Sequence, residues 1–115
     1  MKKHLSIIAL AFSMGLFLTS CNQPKLEGTW VEPAVEGSLL GEVGFTLLEN
    51  GKVENINTGF REYKTWEKFG DKLILNGVEN GYVTIDFADT NNIISLSDSL
   101  LVVGQDGYVI TFHRK

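Results

Sequence analysis

From residue 28 onward this chain of 115 residues shows no 3.6-residue hydrophobic period. Short β-branched and aromatic runs alternate instead with Gly, Asn and Asp, which is the pattern of strands joined by turns. The runs fall at residues 29–32, 43–48, 52–57, 63–69, 72–76, 82–87, 92–97, 100–103 and 108–114. Glu49-Asn50-Gly51, Gly70-Asp71 and Gln105-Asp106-Gly107 separate neighbouring runs and supply residues that tolerate the positive φ of tight hairpins. Nine short pieces in fewer than 90 residues predict an all-β, antiparallel up-and-down β-barrel, since closing the sheet is the economical way to bury one face and remove its edges. Such a barrel closes antiparallel only with an even strand count. About eight strands are therefore expected, with 82–87 and 92–97 merging into one long strand bent at 88–91; a separate hairpin at Asp89 to Asn91 is the alternative. Phe45, Leu47, Ile74, Tyr82 and Phe112 are expected to pack inside.

The first 20 residues carry a different message. Lys2 and Lys3 precede an apolar run over 5–18 broken only by Ser6, Ser13 and Gly15, which has the form of a secretory signal and is short of the ~20 apolar residues that a spanning helix needs. Leu18-Thr19-Ser20-Cys21 resembles the lipobox of bacterial lipoproteins, which implies cleavage between Ser20 and Cys21 and acylation of Cys21 with diacylglycerol and palmitate-type chains. The expected organisation is a cleaved signal peptide at 1–20, a lipidated Cys21 with a tether at 21–27, and a barrel domain at 28–115. The resemblance places the protein in a bacterial cell envelope, outside the cytoplasm, attached to either the inner or the outer membrane.

Removing residues 1–20 takes two of ten basic residues and none of fourteen acidic ones, leaving eight against fourteen and a net charge of −6. An acidic remainder lacks the basic footprint of nucleic-acid binding and has no electrostatic attraction to anionic lipid, so the membrane partner is reached through acyl chains on Cys21. Cys21 is the sole cysteine, and His113 is the only histidine left after cleavage. No cofactor, metal centre or catalytic residue is therefore expected. The carboxylates are scattered singly, and Asp86, Asp89, Asp98 and Asp106 lack the alternating spacing of a calcium loop.

Gly28-Thr29-Trp30 in the first run, with Arg114 at the end of the last, resembles the lipocalin (calycin) barrel. The ordered set that adds Glu49-Asn50-Gly51-Lys52, Tyr63-Lys64-Thr65-Trp66, 72–77 and 97–100 is similar to the small lipocalin-like lipoproteins of Bacteroides-type bacteria. The resemblance implies that Trp30 plugs a closed end of the barrel with Arg114 lying across its indole, a pairing suited to cation–π attraction. It departs from true lipocalins in lacking their Thr-Asp-Tyr type motif and in its short length.

The resemblance also implies that residues 33–40, with Val35, Leu39 and Leu40, fold over the open mouth as a lid; a loop covering a barrel edge is the alternative. Trp66 is a candidate for the ligand site, with core packing as its other role. The expected function is binding of a small apolar or amphipathic ligand in or at the mouth of the barrel, touched by Trp66 and the lid residues. The alternative is an envelope interaction module that holds a protein or glycan through its rim loops. A pocket of about 300 Å³ or more favours the first, and a filled barrel with an exposed apolar rim favours the second.

Overall fold

The computed structural model describes residues 24–34, 37 and 41–115. Eight antiparallel strands follow one another: β1 (Gly28–Glu32), β2 (Val43–Leu47), β3 (Val53–Ile56), β4 (Arg61–Phe69), β5 (Lys72–Asn80), β6 (Thr84–Leu96), β7 (Leu100–Gln105) and β8 (Tyr108–Arg114). Their order in the sheet is β3-β2-β1-β8-β7-β6-β5-β4, a nearly closed up-and-down barrel. Alternation puts Leu73 and Leu75 of β5, Leu101 and Val103 of β7, Phe45 and Leu47 of β2, Trp30 and Phe112 into one core, as a sheet with one buried face requires. Ile74 sits on the other face of β5, half-buried, and Tyr82 is exposed beyond the end of that strand. Neither packs inside, contrary to the expectation for both.

The turns follow the residues that make them. Asp106 and Gly107 both have positive φ, 47° and 84°, and link Gln105 to Tyr108 as a two-residue hairpin, the twist that suits antiparallel strands. Gly70, also at positive φ, opens the turn between Phe69 and Lys72. The runs at 82–87 and 92–97 do form one strand. The expected bend at 88–91 is absent, because β5 pairs with β6 without interruption from Thr84 to Asn92; the irregularity falls between Ile93 and Ser95, opposite β7.

A second bulge separates Tyr63 from Thr65, and its consequence is larger. Simple alternation assigns Tyr63 and Trp66 to opposite faces, but one extra residue shifts the phase so that both pack against the core. Gly77 accommodates the distortion. A Cβ there would come 2.1 Å from the Glu62 carbonyl oxygen, so only glycine allows the two backbones to approach so closely.

The seam between β3 and β4 is held by few contacts. Lys52 and Thr65 form an isolated bridge, and the Trp66 amide donates to the Gly51 carbonyl at 2.9 Å. The Asn55 side chain acts as a missing peptide group. Its Oδ1 accepts from the Tyr63 amide and its Nδ2 donates to the Tyr63 carbonyl, both at 2.8 Å.

Candidate functional site

One end of the barrel is sealed. Trp30 is wholly buried, and its indole N–H donates to the Leu26 carbonyl at 2.7 Å. The Arg114 guanidinium lies 4.2 Å from the Trp30 ring centroid. That guanidinium also donates to the carbonyls of Asp98, Glu27 and Lys25 at 2.6, 2.9 and 2.6 Å, tying the start of the domain to its last strand with charge-assisted bonds. Gly28 has φ 133°, and a Cβ on it would come 2.5 Å from Arg114 Nη1, which explains the glycine two residues before the tryptophan. Leu26 is a buried core residue, so residues 25–27, expected to be free tether, belong to the sealed end.

The opposite end holds a cavity of about 90 Å³. Its floor is apolar, made by Phe45, Leu73, Leu75, Val103 and Phe112 with Ile110 at one side, and Thr58, Tyr63, Asp89, Asn91, Gln105 and Glu32 surround it with polar groups. Aromatic rings brace the floor: Phe45 meets Phe112 at 5.0 Å and Tyr63 edge-on at 5.8 Å, and Tyr63 meets Phe87 at 5.7 Å. Arg61 forms a two-pronged pair with Asp89 at 2.9 and 3.1 Å while stacking 3.8 Å from the Phe87 ring centroid.

The polar groups of this mouth differ in what they can still do. Hydrogen bonding to Asp89 raises the Arg61 pKa, against an opposing effect of burial, so this cation stays charged and engaged. Burial, then the nearby Asp89 charge, pushes the Tyr63 phenol above its ordinary value of 10.0, with Arg61 pulling the other way. Asn91 is only 5% exposed, and its Nδ2 makes long bonds of 3.3 and 3.5 Å to the Leu73 and Asp89 carbonyls. Such a poorly anchored buried amide is well placed to hydrogen-bond a visitor.

Three of the expected ligand contacts, Val35, Leu39 and Leu40, lie outside the described residues, as do Ser20 and Cys21. Trp66 does not line the cavity. Its indole N–H donates to the Leu48 carbonyl at 2.8 Å, beside the β2–β3 turn. The residues that do line it, Tyr63, Asp89 and Asn91, are hard to find by inspection: Tyr63 is brought inside by a bulge, and the other two occupy a stretch that resembles a turn. Glycine at position 77 inside an apolar run is the one cue to the bulge. Among the described residues no group of three or more His, Cys, Asp or Glu could hold a metal ion.

A sealed end with arginine over tryptophan, an open end with an apolar floor and eight meandering strands together define the architecture, and a model of the lipocalin-like family matches residues 22–115. This chain belongs to the lipocalin-like family. The 1.95 Å crystal structure of a lipocalin-like protein from Bacteroides thetaiotaomicron matches with a TM-score of 0.73 at 33% sequence identity, covering 81% of this chain and 99% of that one. No curated protein matches. The lipocalin-like barrel is a binding type of domain, consistent with a mouth that offers an apolar floor and polar rim.

The mouth has a pH signature. Because the Tyr63 pKa in the folded protein lies above that of an unfolded tyrosine, its contribution to stability is complete below about pH 10 and is lost as pH rises through the folded value. Urea midpoints measured from about pH 8 to about pH 11 are expected to fall above about pH 10, and Tyr63→Phe is expected to flatten part of that fall. An identical alkaline fall in the variant contradicts the assignment.

Proposed function

We propose that this lipocalin-like protein is a lipid-anchored component of a bacterial cell envelope that works by binding, taking the end of a small amphipathic molecule into the mouth of its barrel. The cavity carries the reading. Its apolar floor favours a few methylene groups or one small ring, worth about 0.8 kcal/mol per buried methylene, and the surrounding amide, hydroxyl and phenol groups favour an uncharged hydrogen-bonding end. Arg61 is already matched by Asp89, and Glu32 adds a further carboxylate, so an anionic head is disfavoured.

Size limits the ligand. At about 90 Å³ the cavity falls short of the ~300 Å³ that favours a ligand held inside the barrel, and Phe60, Tyr82, Val83 and Ile85 stand exposed at the rim, the condition that favours the interaction module. The binding proposed here is therefore at the mouth. A whole acyl chain is too large for it, whereas the terminus of a chain fits. The remainder of such a molecule lies across the mouth.

Anchoring is proposed through Cys21, lipidated after cleavage at Ser20. With residues 25–27 bound to the sealed end, at most residues 22–24 separate Cys21 from the barrel, a span of no more than about 10 Å at ~3.5 Å per residue. The barrel then stands close to the bilayer with its mouth directed away, a posture suited to receiving a ligand from the aqueous side.

Two measurements test these statements separately. Labelled with radioactive palmitate in a bacterial host, the full chain is expected to incorporate label and Cys21→Ser to lose it; label in both rejects the anchor. In ¹⁵N-detected titrations of the full chain with hexanol and hexyl glucoside, shifts are expected at Tyr63, Asn91 and Ile110. They are expected to disappear in Ile110→Trp, which fills the cavity while leaving the melting temperature within a few degrees. Shifts that cluster at the sealed end, or that persist unchanged in Ile110→Trp, reject the mouth as the site.

A further inference from the structure

The barrel does not close evenly. Strand β6 gives its first nine residues, Thr84 to Asn92, to β5, but pairs with β7 only from Asn92 to Leu96. β7 ends at Gln105 and turns back into β8. Above that turn, among the described residues, no strand pairs with the other edge of β6.

Which backbone groups face the open side follows from one bond. The Ile93 amide donates to the Asp71 carbonyl at 2.7 Å, so in the alternating antiparallel ladder residues 91, 89, 87 and 85 also bond toward β5. The N–H and C=O groups of Thr84, Asp86, Ala88 and Thr90 therefore point the other way. Of the usual devices that protect such an edge the segment has no lysine, proline or bulge, only the charges of Asp86 and of Asp89, the latter paired with Arg61. Ile85 and Phe87 lie on the concave face with Asp89 and Asn91, and Phe60, Tyr82 and Val83 are exposed at the tip beside it.

We propose that this edge is a binding site for an extended polypeptide segment, apolar at alternate residues and basic between them, which adds as a strand along Thr84 to Thr90 and continues the line that β7 abandons. Main-chain bonds to Thr84, Asp86, Ala88 and Thr90 supply affinity, as in other cases of strand addition. Every second partner side chain falls beside Ile85 and Phe87. Those between fall beside Asp86, which is exposed and makes no salt bridge among the described residues. The net charge of −6 on residues 21–115 favours a cationic partner.

A second copy of this chain is the competing occupant, and orientation argues against it. Two β6 edges pairing about a two-fold axis run antiparallel and send the two sealed ends in opposite directions, so both cannot stay within the short reach of tethers in one bilayer. That exclusion rests on the Cys21 anchor proposed above; the edge itself does not.

The test uses the full chain purified in detergent and fluorescence anisotropy of a labelled octapeptide of alternating valine and lysine. Saturable binding is expected, with loss of binding when every peptide amide is N-methylated. Ala88→Pro removes an outward N–H and no β5 bond, and is expected to weaken binding at least about tenfold, a loss of about 1.4 kcal/mol. Asp86→Lys is expected to weaken the lysine peptide and strengthen a valine–glutamate counterpart, which keeps the test decisive if Ala88→Pro fails to fold. Absence of binding, equal binding of the N-methylated peptide, or self-association that Ala88→Pro abolishes overturns the proposal. Peptide binding by a chain that fails to take up palmitate rejects the anchor and leaves this site standing.

Discussion

One 13-residue strand shared unequally between two neighbours shapes this molecule. β6 is long enough to serve β5 along its first nine residues and β7 along its last five, with Asn92 paired on both sides. The offset lifts β4, β5 and the first half of β6 above the β7–β8 turn. Asp89 and Asn91, on that raised half, reach the cavity from one side while Gln105 and Ile110 reach it from the other. The same offset leaves four outward backbone pairs, at Thr84, Asp86, Ala88 and Thr90, without a strand beside them among the described residues. A mouth and an adjacent open edge thus have a single cause, the stagger that a tilted barrel imposes on its strands.

The other end shows what closure costs and how it is achieved. A tryptophan cannot be buried without a partner for its N–H, and the Leu26 carbonyl provides one. Arg114 then covers the ring and ties together the carbonyls of Lys25, Glu27 and Asp98. With one end filled in this way, any ligand must enter at the other. The seam between β3 and β4 obeys the same accounting: where strand pairing gives out, the Asn55 amide substitutes for a peptide group.

Local chemistry made much of this legible in the sequence, and long-range pairing hid the rest. Asp106-Gly107 and Gly70 announced their hairpins because positive φ is costly for other residues. Gly28, Trp30 and Arg114 were recognisable as a set. The phase shift between Tyr63 and Thr65 was not, because a bulge depends on what the opposite strand does; of the two roles open to Trp66, ligand contact or core packing, the bulge turns its side chain against the core. Asp89 and Asn91 appear turn-forming by composition, yet pairing with Leu75 and Leu73 holds them in a strand. The cavity could not be sized from sequence either, since its volume is the small difference left after Phe45, Tyr63, Leu73 and Phe112 have been packed.

The uneven sharing of β6 is most directly tested by amide hydrogen exchange followed residue by residue by NMR. Rapid exchange is expected at Thr84, Asp86, Ala88 and Thr90, alternating with protection at Ile85, Phe87, Asp89 and Asn91. Protection of all eight amides alike would mean that another segment already covers this edge, contradicting both the open edge and the mouth derived from it.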